Sequence, residues 1–151
     1  MVIAGFALAL LSAPISVQAV DADPVPAQAE APRFEAVTEG EAFRLALPQG
    51  ASMGRRALID FDLYQVSIDG RPVLGLYEGF AADVADWVDD PRQPGRQTKT
   101  VGGQPVEYFW NRSCGRASQV HAWLYQGASS DAASIGRAMA DSIVLKPCDG
   151  H

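Results

Sequence analysis

Along most of this chain large apolar residues recur at every second position, a period that predicts strands rather than helices. In Phe43-Arg44-Leu45-Ala46-Leu47 they alternate strictly, and Pro48 and Gly50 end the run. Leu58 to Ile68 is β-branched and aromatic, but its alternation slips phase between Leu63 and Tyr64. A bulge near Leu63, one extra residue turned out of register, explains the slip. Asp69-Gly70 separates this run from "RPVLGLY" and signals a hairpin, because both central residues of a type I′ turn need positive φ. A second glycine turn, Gly102-Gly103, divides Thr98 to Trp110, with "PVEYFW" as the returning strand. Ala117 to Gln126 reads as the longest strand. One of its faces carries Val120, Ala122 and Leu124, and the other carries His121, Trp123 and Tyr125.

Two segments show helical spacing instead. Phe80, Val84, Trp87 and Val88 predict a short central helix over Phe80–Val88, with Asp83 and Asp86 on its outer side. Ser130 to Leu145 predicts a longer C-terminal helix, capped by Ser129 or Ser130, with Asp131 in its first turn. Its buried stripe is Ala132, Ile135, Met139 and Ile143, and Lys146-Pro147 ends it. The sum is an α+β fold: a mostly antiparallel sheet of five or six strands, with both helices packed on it.

The N-terminus changes the setting. Residues 1–19 carry no charged side chain, and the apolar run Val2 to Leu11 is too short to span a bilayer, which takes about 20 residues. Pro14 and the small residues up to Val17-Gln18-Ala19 make a cleavage site, so 1–19 reads as a secretory signal peptide. Its n-region lacks Lys and Arg, which predicts that the natural start codon lies upstream of Met1. Residues 20–33, rich in Ala, Pro and acids, read as a flexible tether, and 34–151 as a single domain. The expected location is a bacterial periplasm or the cell exterior, with no stable membrane span once the signal is removed. The net charge of −6 disfavours nucleic acid as a partner, since an acidic surface repels phosphates.

Gly50-Ala51-Ser52-Met53-Gly54 matches G-x-S-x-G, the nucleophile elbow of serine hydrolases. An elbow needs a tight strand-to-helix turn, whereas "RRALIDFDLY" after Gly54 has a strand pattern. Ser52 is therefore expected in a loop, with no catalytic role. Cys114 lies seven residues before His121, which in a reducing compartment would suggest a thiolate and its base. In an exported chain with two cysteines the expectation is a Cys114–Cys148 disulfide. The strand from Ala117 rises about 26 Å at 3.3 Å per residue, and the helix returns about 22 Å at 1.5 Å per residue. The two ends thus meet, and closing the loop stabilises the fold by about 3.5 to 4 kcal/mol on the chain-entropy model.

His121, Trp123 and Tyr125 form a possible ligand-binding face, an aromatic platform able to stack on a sugar ring or another flat ligand. The more ordinary arrangement, and the one expected, packs this face under a helix with His121 hydrogen-bonded at the edge. The acidic run Asp83, Asp86, Asp89 and Asp90 lacks calcium-loop spacing and reads as a solvated face. Two His and two paired Cys leave no metal site, and no cofactor is expected.

The order "FRLALPQG", "TVGGQPVEYFW", "HAWLYQG" and "IGRAMADSIVL" resembles the PsbP-like superfamily over Phe43 to Leu145. The resemblance implies an antiparallel sheet between helices and an accessory or binding role, with no shared catalytic set to carry over. The functional expectation is an exported, non-enzymatic accessory or binding domain for a small ligand or an envelope protein. A small hydrolase or sugar-active protein using Ser52 or the His121 face is the alternative. A third is an inhibitor or immunity protein acting through Asp83 to Asp90.

Overall fold

The computed structural model describes residues 33–82, 86–112 and 119–148. Ten strands form two antiparallel sheets, and one helix is present among the described residues. A large sheet of seven strands is built from β3 (Ala51–Ala57), β4 (Asp62–Ile68), β5 (Arg71–Gly79), β6 (Val88–Asp89), β7 (Arg96–Val101), β8 (Gln104–Asn111) and β9 (Gln119–Leu124). Their spatial order is β3-β4-β5-β9-β8-β7-β6. A small sheet has the order β1-β2-β10, from β1 (Phe34–Glu39), β2 (Phe43–Pro48) and β10 (Val144–Leu145). Helix α1 (Ser130–Asp141) follows β9.

These findings overturn the α+β arrangement of five or six strands with two helices: the molecule is mostly sheet. The helical spacing of Phe80 to Val88 misleads. Asp86 takes a left-handed φ of 65°, which breaks a helix, and Val88–Asp89 pairs with β7 as a strand. Residues 83–85 lie outside the described residues. The predicted bulge near Leu63 is a turn instead. The Leu58 N–H donates to the Phe61 carbonyl at 2.9 Å, and strands β3 and β4 leave it in unbroken register. Ser52 is not in a loop but within β3, facing Ser67 of β4.

The two glycine turns form as expected. Asp69 and Gly70 have φ of 50° and 74°, and Gly102 and Gly103 have 58° and 77°. The C-terminal helix is shorter than its apolar spacing implies. Ser129 caps it by accepting from the Ala132 N–H, and Ser142 stops it by turning its hydroxyl back to the Met139 carbonyl at 2.7 Å. The same hydroxyl accepts from the Ala46 N–H at 3.1 Å, tying the helix end to β2. Val144–Leu145 then joins the small sheet beside β2.

Alternation assigns the two faces of the large sheet. Tyr64, Val66, Leu74, Leu76, Tyr108, Trp110, Val120 and Ala122 point to one side. There they meet Phe43, Leu45 and Leu47 of β2 and Met139, Ala140 and Ile143 at the helix end, forming one buried core. Each fully buried large apolar side chain contributes about 1.5 to 3 kcal/mol. Helix and small sheet therefore cover this side, leaving the other for His121 and Trp123. No helix among the described residues is long and apolar enough to cross a membrane.

Candidate functional site: an aromatic face opposite the helix

Register places the second face residue by residue. Tyr77 stands opposite His121, Gly75 opposite Trp123, and Phe109 opposite His121 from the other side. Gln65 neighbours Gly75, and Glu107 neighbours Trp123. The expectation that this face packs under the helix is thus corrected, because α1 lies against the Val120 and Ala122 side.

The rings lie across the sheet instead of standing upright on it. A Cβ added at Gly75 would meet the Trp123 indole at 2.2 Å, so the ring fills the space that every other residue type would need. The Tyr125 hydroxyl donates to Gln65 Oε1 at 3.2 Å, reaching over β5 to β4, about 10 Å of strand spacing. Tyr77 leans along its own strand into the space above Gly79, and its hydroxyl accepts from the Ala81 N–H at 3.0 Å. Trp123, Tyr125 and Tyr77 are half-buried.

Tyr77 pairs with Phe61 at 5.3 Å between centroids, and the remaining rings form a connected series. His121 and Trp123 are 5.3 Å apart between centroids, and Trp123 and Tyr125 are 6.5 Å apart. Trp87, from the connection between β5 and β6, closes the other end, edge-on to His121 at 5.2 Å and against Phe109 at 5.7 Å. His121 Nε2 bonds Glu107 Oε2 at 2.9 Å, and 20% of its side chain is exposed. Burial lowers the His121 pKa below 6.5 and outweighs the opposing pull of Glu107. At neutral pH the ring is uncharged and donates its Nε2–H to the carboxylate.

Beyond the Glu107–Trp123 pair the ladder between β8 and β9 stops. Pro105 has no N–H to extend it, while Tyr125 turns to β5 and donates to the Val73 carbonyl at 3.2 Å. A cleft of 870 Å³ opens there, lined by Trp123, Tyr125, Glu107, Val106, Leu124 and Arg137 among others. A hollow of 650 Å³ lies on the other side of Tyr125 and the loop into α1, lined by Ile68, Pro72, Ala132 and Ile135 among others.

The other sequence candidates do not join this face. Ser52 is on β3, three strand spacings from β9, so at least about 14 Å separates it from His121. No serine–imidazole contact is possible at that range. Cys148 follows β10, with its sulfur 3.7 Å from the Arg112 carbonyl oxygen, and Cys114 lies outside the described residues. The acidic run is not one solvated face. Asp90 is buried and accepts from Arg92 and from Arg96, whose guanidinium is itself buried, bonded to Asp141 and set over the Tyr108 ring. Asp89 accepts from Gln97, Asp86 is exposed, and Asp83 lies outside the described residues. No group of three metal-ligating side chains occurs among the described residues.

Sequence reasoning missed Tyr77, Gly75, Glu107 and Trp87. The signal was present in "LGLYEG": glycines at 75 and 79 flank Tyr77 on one strand face, the spacing that room for overlying rings requires. No family model matches this chain, and neither a curated protein nor a solved structure matches it significantly. The likeness to the PsbP-like superfamily accordingly stays an expectation taken from the order of elements.

Proposed function

We propose that this chain is an exported, non-enzymatic binding domain whose aromatic sheet face takes a saccharide. The carrying observation is the Trp123 indole laid over Gly75, with Tyr125 and Tyr77 spread beside it on the face opposite the helix. The Trp123 indole, laid over Gly75, turns its other π-face outward, where the polarised C–H groups of a sugar ring stack, and Tyr125 stands beside it at 54°. Gln65, His121 and Glu107 place polar groups around them, bonded to Tyr125, to Ser67 and to one another. Flanking polar groups on an aromatic floor are the usual make-up of a small-ligand site.

Export and a Cys114–Cys148 bridge belong to the same reading. The proximity of the Cys148 sulfur to Arg112, two residues before Cys114, supports the pairing. The test is a fluorescence titration of the exported protein with soluble β-linked glucose and N-acetylglucosamine oligosaccharides. A saturable change in tryptophan emission that Trp123→Ala abolishes, with the melting temperature kept within a few degrees, is the expected result. An emission change that survives in Trp123→Ala, or no binding at millimolar ligand, overturns the reading.

A further inference from the structure

The cleft beside Trp123 is lined by a cation that pairs with no acid among the described residues. Arg137 lines it from the second turn of α1, and among the described residues it makes no hydrogen bond or ion pair. Arg96, by contrast, is fully engaged by Asp90 and Asp141. An arginine side chain stays protonated at any physiological pH, and its planar fork of donors matches a carboxylate. The one acid lining the cleft, Glu107, has an oxygen engaged by His121.

The cleft also has the right neighbours for a ring. Trp123 and Tyr125 belong both to the aromatic face and to the cleft wall, so a sugar seated in the cleft meets both rings on its way from that face towards α1. Val101, Val106 and Leu124 add apolar surface to that wall beside the polar Gln126. Pocket sizes of this order hold one or two sugar rings.

We infer that the preferred ligand is an acidic saccharide, its ring seated in the cleft against Trp123 and Tyr125 and its carboxylate held by Arg137. The inference rests on the aromatic-face reading and adds the charge of the ligand to it. A net charge of −6 does not stand against it, because the selecting group is one local cation facing one small anion, not a polyanion spread over the whole surface.

The experiment is calorimetric titration of the full chain with cellobiose and with cellobiouronic acid, which differ by a single carboxylate. The acidic disaccharide should bind about tenfold more tightly at low salt, the worth of one charge-assisted contact, and the gap should narrow at high salt. Arg137→Gln should bring the two ligands to equal affinity, and Arg137→Lys should keep part of the preference, with both variants melting like the parent. Equal binding of the two disaccharides by the parent, or an acidic preference that survives Arg137→Gln, overturns the inference and leaves the aromatic-face reading standing. Failure of both disaccharides to bind overturns both. Inorganic phosphate, a charge without a ring, should not displace the acidic disaccharide at equal concentration. Displacement would overturn the requirement for a ring.

Discussion

Gly75→Ala is the smallest change that tests how the Trp123 ring is seated. The added Cβ would fall 2.2 Å from Cε2, 2.4 Å from Cζ2 and 2.6 Å from Nε1 of the indole. Ordinary carbon contacts need about 3.5 Å, so the ring must withdraw by about 1.3 Å or more. Strand backbone offers no such movement inside a seven-stranded sheet, because β5 is hydrogen-bonded on both sides by β4 and β9. The ring therefore swings outward and loses its bed on the sheet. Forced overpacking costs about 1 to 3 kcal/mol. Replacing glycine by alanine in a strand returns about 0.5 to 1 kcal/mol. Trp123 is only half-buried and can rotate towards solvent, which puts the net loss near the low end, about 1 kcal/mol, or about 4 °C in melting temperature. Urea unfolding at constant m-value and the tryptophan emission maximum read the two consequences. The expected outcome is a lower midpoint, a red-shifted emission from the displaced indole, and saccharide binding weakened more than stability. A variant as stable as the parent with unchanged emission would show that the indole does not occupy the space above Gly75.

Further outcomes follow from buried polar groups. Glu78, 3% exposed, accepts from the backbone N–H groups of Glu41 and Ala42 and from the Tyr64 hydroxyl, so Glu78→Ala strands three donors and should cost about 3 kcal/mol in urea unfolding. Burial raises the Asp90 pKa, but bonds from Arg92 and Arg96 outweigh it and hold the carboxyl well below its ordinary 3.8. That stability is present above pH 3.8 and is lost as pH falls towards the folded value, so Asp90→Asn should flatten the acid limb of a stability–pH curve. His121, lowered by burial, should titrate by NMR with a midpoint below 6.5, and Glu107→Gln should lower it further by removing the one group that opposes burial. The fold loses stability as pH falls through that range, because the unfolded chain then binds the additional proton. Thiol titration of the unreduced exported protein should find no thiol, and one or more would refute the Cys114–Cys148 bridge.

Local chemistry was legible where one short rule decides the backbone. Asp69-Gly70 and Gly102-Gly103 form turns because their positive φ angles cost little only for such residues. The alternation of Val120 and Ala122 with His121 and Trp123 holds residue by residue. What was not legible depends on partners far along the chain. "ASMGRRA" has one large apolar residue, Met53, and becomes strand β3 because β4 supplies its hydrogen bonds. Phe80 to Val88 has helical spacing, yet Trp87 is placed by Phe109 and His121 across the sheet, and Phe80 and Val88 are exposed. The side of the sheet that α1 covers was equally hidden. Both faces of β9 carry large residues, and only Gly75 and Gly79 on the neighbouring strand mark the one on which rings lie across the sheet.

The central claim is that ligand meets the protein on the face formed by Gly75, Tyr77, Trp123 and Tyr125. An amide and indole chemical-shift titration with the disaccharide that binds tests it most directly, because Trp110 sits buried on the opposite face as an internal reference. The Trp123 Nε1–H and the amides of Gly75, Tyr77 and Tyr125 should move together and saturate, while the Trp110 Nε1–H stays in place. Shifts confined to Trp110, β2 and the buried side of α1 would contradict the account.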